Sequence, residues 1–298
     1  MRRVLLPVVL FALPTSAWAA SPNRLSVWAM GDYDGARTEA IGGEDYVATG
    51  WSEVALELGS TISNKPAAPA RTLGAAGFHV GLVTTFAHLP GRWVNSDYPD
   101  GWELMAQDED PMPLLFVPTV QIRKGLPGSF EVGANFGWIG MSETGVVGAY
   151  GRVALVEGYK ILPDVSLQAG YSAYVGNDEF ELGAMDFSAN VGYSLPFGPV
   201  AGIHTAKFSP FINLGLTRIH AAPRVDLVGS RLEDRVTELT GFETATTDPD
   251  AAQFNATYAP FSFAGGFEVQ SGEFTFDLTS GYAVGGAVTF NLGLGFTY

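Results

Sequence analysis

Apolar and polar residues alternate regularly over the last eleven residues of the chain, 288–298. Large apolar side chains occupy every second position, and small or polar side chains lie between them. Successive side chains of a β-strand point to opposite faces, so this pattern predicts a strand with one apolar and one polar face. Strands of soluble β-sandwiches usually have about six residues. The length therefore favours a strand that crosses a membrane, with a soluble β-sandwich as the alternative.

The same alternation occurs in earlier segments of the chain. In residues 130–138 the apolar positions include Phe130, Val132 and Phe136, and residues 165–175 follow the same rule. Applied to the whole chain, the pattern predicts ten strands, with eight or twelve as open alternatives. The ten lie at residues 77–88, 115–124, 129–139, 145–156, 164–175, 180–195, 206–220, 258–269, 272–283 and 287–298.

Two of these strands are irregular. In residues 180–195 the apolar positions change phase between Leu182 and Phe187, which predicts a β-bulge. Residues 206–220 contain Pro210 near their start, where proline is tolerated.

The connections between the predicted strands differ in length on the two sides of the sheet. If the last strand ends in the periplasm, the long connections 89–114 and 221–257 both lie outside the cell. Membrane barrels have short periplasmic turns and longer outer loops. The sequence therefore predicts an antiparallel up-and-down transmembrane β-barrel over residues 77–298. Its periplasmic connections are 125–128, 157–163, 196–205 and 270–271.

The first nineteen residues have the pattern of a signal peptide. Arg2 and Arg3 precede the apolar run 4–13, and small residues end at Ala19, where we expect cleavage, with Ala20 as the alternative. No later stretch of about 18 apolar residues offers a membrane-spanning helix. The chain has no cysteine, which excludes disulfides and thiolate metal sites.

Composition and charge narrow the function classes. The 37 glycines and 31 phenylalanines and tyrosines favour strands and tight turns over helices. A net charge of −15 without a basic cluster argues against binding to nucleic acid.

Residues 20–76 lack clean alternation. Trp51, Val54, Ala55 and Leu58 have helical spacing, which predicts a short amphipathic helix followed by a proline-containing linker. This segment is expected either to plug the lumen or cap the periplasmic mouth, or to be a flexible leader.

These features together resemble the Gram-negative outer-membrane β-barrel class, and the segments 123–130 and 72–78 resemble an uncharacterised barrel family. The terminal aromatics Phe296 and Tyr298 are similar to the signal that the barrel assembly machinery reads, although Phe is the usual last residue. The resemblance implies an outer-membrane location, contacts with outer-membrane lipid and lipopolysaccharide, assembly by that machinery, and a monomer. It names no substrate.

Polar side chains on the inward face are the candidate lumen residues, because they cannot face lipid cheaply. They are expected either to fill the lumen with hydrogen bonds or to line a narrow passage. These residues are Glu131, Asn135, Tyr150, Arg152, Gln168, Asp186, Asn190, Glu268, Asp277 and Asn291.

No residue spacing indicates a reaction, a metal site or a cofactor. His88 and His220 near the outer rim leave a rim hydrolase as a minor alternative. The acidic run 108–110 is expected to be a solvated loop rather than a cation site. Three arginines in the second long loop either meet lipid phosphates or pair locally: Arg224, Arg231 and Arg235. We therefore expect a structural or narrow-channel barrel, with passive uptake of small or hydrophobic solutes as the alternative.

Overall fold

The computed structural model describes residues 23–27, 46–64, 68–89, 101–106, 112–159, 162–197, 206–224 and 256–298. The expected signal peptide, the acidic run 108–110, Arg231 and Arg235 lie outside these ranges. Two α-helices and twelve β-strands occur in the described part of the chain. Neither helix is long and apolar enough to span a membrane.

Ten long antiparallel strands close into a barrel, which confirms the fold predicted from the alternation. Each long strand pairs with the next long strand in the chain, and the last pairs with the first over ten residue pairs to complete the ring. These strands are β1 (Phe78–His88), β2 (Leu114–Leu126), β3 (Phe130–Trp138), β4 (Gly145–Val156), β5 (Asp164–Val175), β6 (Phe180–Gly192), β8 (Ala206–Pro223), β10 (Phe261–Ser271), β11 (Phe274–Ala283) and β12 (Val288–Thr297).

Two three-residue strands extend β8 beyond the ring. β7 (Leu195–Phe197) pairs with the start of β8, and β9 (Ala256–Tyr258) pairs with its end. The count of long strands is thus ten in the described chain, and the two extra strands are short additions at opposite ends of the barrel.

The predicted β-bulge in the sixth strand is wrong. β6 keeps one continuous register with both β5 and β8, and the register shift lies instead in β4, between Ala154 and Val156, where β4 pairs with β5. Phe180 and Leu182 are each 2% exposed because they point into the barrel. The apolar pattern changed phase because the inward face is apolar here, not because the backbone is displaced.

The outer face of the barrel is apolar along the strands. On β12, for example, Phe290, Leu292, Leu294 and Phe296 are all exposed, with side chains pointing away from the interior. A closed ladder leaves no unpaired edge, so such a barrel can place this face in lipid without exposing backbone polar groups.

Helix α1 (Tyr46–Ile62) lies inside one end of the barrel and packs against β5, β6 and β8. Its predicted apolar face, from Trp51 to Leu58, is buried. Gly59 allows the close approach to the wall, because a Cβ there would lie 2.5 Å from Cγ2 of Ile219. Helix α2 (Gly101–Met105) packs on α1, and its Trp102 Nε1 donates a hydrogen bond of 2.6 Å to Glu57.

The end that holds α1 carries the long connections 89–113 and 224–255, and we call it the long-connection end. The opposite, short-connection end carries the turns 127–129 and 272–273. The sequence offered a cap at the periplasmic mouth as one role of the N-terminal helix. The structure places α1 inside the long-connection end, where its apolar face packs against the apolar wall of β6 and β8.

Candidate functional site in the barrel lumen

The lumen has two zones of different polarity. At the long-connection end, Trp51 meets Phe180 edge to face at 5.8 Å between ring centroids, and Phe180 stacks on Tyr174. The middle and the short-connection end are polar. The sequence predicted a polar inward face throughout, whereas α1 makes the first zone an apolar core.

After α1 the chain continues through the polar zone to β1. We call residues 46–64 and 68–77 the plug segment. Asn64 is its central anchor: its backbone N–H donates to Asp186 at 2.8 Å, and its side-chain amide donates to the carbonyl of Tyr171 at 2.9 Å. Its Oδ1 accepts from Asn135 at 2.5 Å, and its carbonyl accepts from Gln168 at 2.8 Å. The side-chain amide also donates to the carbonyl of Ala149 on β4 at 3.3 Å, so Asn64 connects the four strands β3 to β6.

Arg152 holds the next part of the plug segment. Its Nη1 donates to the carbonyl of Pro69 at 2.9 Å, and its Nε and Nη2 donate to Oε1 of Gln168 at 3.1 and 2.8 Å. Nη1 also lies 3.6 Å from Oε1 of Glu131, and both side chains are almost fully buried. The pair is shielded from water. In such a buried site the attraction between the two charges is strong, but removing them from water is costly.

Two glutamates accept hydrogen bonds from the plug segment near the short-connection end of the polar zone. Glu131 accepts a hydrogen bond from the backbone N–H of Leu73 at 3.1 Å. Glu157, just after β4, accepts from the N–H of Thr72 at 3.0 Å and from its hydroxyl at 2.8 Å. Partial burial opposes ionisation of Glu157, but hydrogen bonds from Ser129 and Thr72 outweigh it and lower its pKa.

The predicted lumen residues all lie on the inward side of the wall. Several form pairs: Asn190 accepts from Asn213 at 2.8 Å, and Asn291 accepts from Thr85 at 2.7 Å. Seven are buried: Glu131, Tyr150, Arg152, Gln168, Asp186, Asn190 and Asp277. Three are partly exposed: Asn135, Glu268 and Asn291.

Sequence reasoning missed the plug residues and one inward arginine. Asn64 and Thr72 bind wall residues that are far away in the sequence, so no local pattern marks them. Arg123 is 2% exposed, and its Nη2 lies 3.9 Å from Glu268. Arg123 follows the outward-facing Ile122 in β2, so the alternation of the strand predicts that Arg123 faces the lumen.

Small cavities remain beside the plug segment. One of about 70 Å³ lies between Asn64 and the wall formed by β12 and β1 to β5, with Thr119 and Asn291 among its lining residues. Another of about 370 Å³ opens at the short-connection end, beside Thr72 and Glu157. The plug segment therefore occupies most of the polar zone's centre without filling it.

The rim residues considered for chemistry do not form a site in the described chain. His88 ends β1, and His220 lies on β8 opposite Gly183. No group of three or more His, Asp or Glu side chains lies together as metal ligands among the described residues. Arg224 forms an ion pair with Glu181 at 3.3 Å. Of the two expectations for this arginine, lipid phosphates or a nearby acid, the structure shows the nearby acid.

The last strand ends at the closure of the ring. Phe296 faces outward and meets Phe274 at 5.8 Å between ring centroids. The backbone of Tyr298 exchanges two hydrogen bonds with Phe78, at 2.7 and 2.8 Å, and its side chain is exposed. The terminal aromatics thus lie on the lipid side of the seam between β12 and β1.

No protein-family model and no curated protein matches the chain. Among solved structures, it is similar to the KdgM porin, with 5% identity, a TM-score of 0.31, and 74% of this chain and 99% of that one covered. It is also similar to the outer membrane protein Omp33 of Acinetobacter baumannii, with 11% identity, a TM-score of 0.27 and coverages of 76% and 100%. For Ail of Yersinia pestis the values are 9%, 0.24, 76% and 99%.

These TM-scores are low, so the fold assignment rests on the chain's own strand pairing. A closed ring of ten strands with an apolar exterior and a polar interior meets the physical requirements for strands in a bilayer. The chain is a closed ten-stranded β-barrel of the transmembrane type.

Proposed function

We propose that this protein is a structural barrel with a plugged lumen, which leaves at most a narrow passage for water-sized solutes. The observation that carries the proposal is the size of the space beside Asn64, about 70 Å³. A cavity needs about 10–15 Å³ of this kind of volume to hold one water molecule, so the space beside Asn64 admits a few water molecules.

The plug segment is held by contacts along its whole length, which supports a closed resting state. Asn64 alone bonds to four wall strands, β3 to β6, and the buried pair of Arg152 and Glu131 holds the residues that follow. Displacing the segment would leave these buried groups without partners, at a cost of about 1–3 kcal/mol for each neutral group. Passive uptake of larger solutes therefore requires a movement that the contacts oppose.

Conductance in planar lipid bilayers tests this proposal. We expect the full-length protein to give no steady open current, because the plug segment blocks the lumen. A variant that lacks residues 23–73 should give discrete current steps, because only wall residues then remain around the polar zone. Heat-modifiable migration on a gel identifies which preparations of the variant contain a closed barrel.

Two results would contradict the proposal. One is a steady open current through the full-length protein, which would support a porin-like uptake role instead. The other is the absence of current through the deletion variant when its barrel is folded, since the wall itself would then close the lumen.

A further inference from the structure

The first described residues of the chain are attached to the long-connection end of the barrel. The side-chain amide of Asn23 donates to the carbonyl of Gly140 at 2.9 Å, and the hydroxyl of Ser26 donates to Glu179 at 2.6 Å. Asn177 donates to the carbonyl of Leu25 at 2.8 Å. The three wall partners lie in the connections 139–144 and 176–179, both at this end.

The plug segment then crosses the lumen to the opposite end, where β1 begins. Its direction is visible along the single strand β4 and the residue that follows it, because each later plug residue meets a later wall residue. The contacts are, in order, Asn64 with Ala149, Pro69 with Arg152, and Thr72 with Glu157.

The stretch of chain from Asn64 to Gly74 is long enough to span the apolar band of the barrel. Ten residues separate Asn64 from Gly74, and an extended chain of that length reaches about 33–36 Å. The apolar band of an outer-membrane barrel is about 25 Å tall. An extended strand of these residues is thus long enough to pass through the whole polar zone.

The wall has glycines where the plug segment comes close, at both ends of its path. A Cβ on Gly286, at the long-connection end, would lie 2.6 Å from Oγ of Ser60. A Cβ on Gly125, at the short-connection end, would collide with the backbone of Gly74. Glycine at both places leaves the wall without a side chain, which gives the plug segment the space that it occupies.

Connection lengths decide which end faces the cell exterior. Outer-membrane barrels place their long loops outside and their short turns in the periplasm. The connections 89–113 and 224–255 therefore mark the outer end, and this is where residues 23–27 and α1 lie. The expected signal peptide would deliver the N-terminal residues to the periplasm, so they must cross the membrane afterwards.

We propose that the barrel lumen is the route by which this protein carries its own N-terminal segment across the outer membrane. Residues 23–27 then lie at the cell-surface end of the barrel, α1 lies inside its mouth, and residues 68–77 lie in the lumen on the way to β1. The barrel thereby acts as a display scaffold for its N-terminus. This inference is independent of whether the lumen conducts ions.

Single cysteines test the proposal, because the natural chain has none. Arg24 and Glu143 are about half exposed and lie 2.8 Å apart at the long-connection end, the first on the N-terminal segment and the second on the barrel. Glu273 is exposed in a turn at the opposite end. The probe is a maleimide with a polyethylene glycol chain too large for porins, added to intact cells or to cells with a permeabilised outer membrane.

We expect Arg24→Cys and Glu143→Cys to be labelled on intact cells to a similar extent, and Glu273→Cys only after permeabilisation. Labelling of Arg24→Cys only after permeabilisation or denaturation overturns the proposal, whatever Glu143→Cys does. If Glu143→Cys alone is labelled on intact cells, the N-terminal segment has stayed in the periplasm. If Glu273→Cys alone is labelled on intact cells, the barrel is oriented the other way. Conductance is measured separately, so a lumen that conducts while Arg24→Cys is labelled on intact cells contradicts the proposed closed lumen and leaves this inference standing.

Discussion

Among the single residues of the lumen, Arg152 and Glu131 form a charge pair that water hardly reaches. Their side chains are 1% and 0% exposed, and each also holds the plug segment. Attraction between such charges only offsets the cost of removing them from water, but loss of one partner leaves the other charge uncompensated. The pair is therefore more sensitive to single than to double replacement.

This asymmetry gives a measurable prediction. We expect Arg152→Gln to lower the free energy of unfolding by about 3–5 kcal/mol, and Glu131→Gln by a similar amount. The double variant should lose less than the sum of the two. Urea unfolding in lipid vesicles measures all three, and strict additivity of the single effects would show that the two side chains do not interact.

A second residue-scale feature is the contact between the wall and Asn64. A Cβ on Gly148 would lie 2.9 Å from Oδ1 of Asn64 and 2.8 Å from Oγ of Ser172. Asn64 cannot easily move away, because its amide is bound to Tyr171 and Asn135. The wall therefore requires glycine at this position.

Gly148→Ala is expected to lower the free energy of unfolding by about 1–3 kcal/mol, the usual cost of overpacking. Gly151→Ala is the matched control on the same strand, because a Cβ there meets nothing within 4 Å. The control should change stability little. The same unfolding assay compares them, and equal effects of the two substitutions would argue against a tightly fitted plug segment.

At the scale of elements, alternation predicted the strands because each wall strand separates two media. Phe130 and Leu167 face lipid, whereas Glu131 and Gln168 face the lumen. Apolar and polar residues therefore alternate along the strands. The failure at Phe180 has the same physical cause. An inward apolar residue there faces α1, and a local pattern cannot distinguish a helix inside the barrel from lipid outside it.

The path of the plug segment was not predictable from the sequence for a related reason. Asn64 binds the carbonyl of Tyr171 and the side chains of Asn135 and Gln168, all of them more than 70 residues away in the sequence, so no local pattern links it to these partners. Helical spacing in residues 51–58 indicated α1 but not its partners. The polar pairs of the wall were predictable as a set, and their connection to the plug was not.

The contact between Thr72 and Glu157, where the plug segment reaches the short-connection end, should weaken at acidic pH. The pKa of Glu157 is lowered in the folded state, so the carboxylate contributes stability above its unfolded pKa of about 4.5, and this contribution is lost as the pH falls through the folded value. We expect Thr72 to detach more readily in that acidic range.

Glu157→Gln tests the pH effect. At neutral pH the variant should be less stable than the natural protein, and the difference should shrink as the pH falls below about 4.5. Unfolding curves recorded at several pH values measure this. A constant difference over the whole range would mean that the charge of Glu157 does not hold Thr72.

At the scale of the whole molecule, the closed ring explains how a chain without cysteine remains folded. Backbone hydrogen bonds join all ten long strands, so no single strand can leave without breaking two ladders. We expect the protein in mild detergent to migrate differently on a gel before and after boiling. Identical migration of a membrane-derived sample would indicate an open sheet.

The central claim is that the N-terminal segment lies inside this ring, and a designed disulfide tests it most directly. A Cβ on Gly170 lies 3.1 Å from Cβ of Asn64, so a disulfide, whose Cβ atoms are about 3.5–4.5 Å apart, forms there after a shift of a few tenths of an ångström. Asn64→Cys with Gly170→Cys places the only two thiols there, and Asn64→Cys with Gly151→Cys, on the outer face, is the control. After mild oxidation of outer membranes, boiled non-reducing gels should show a faster, reducible band for the first pair alone. Free thiols in the first pair, in a barrel shown to be folded, would contradict the claim.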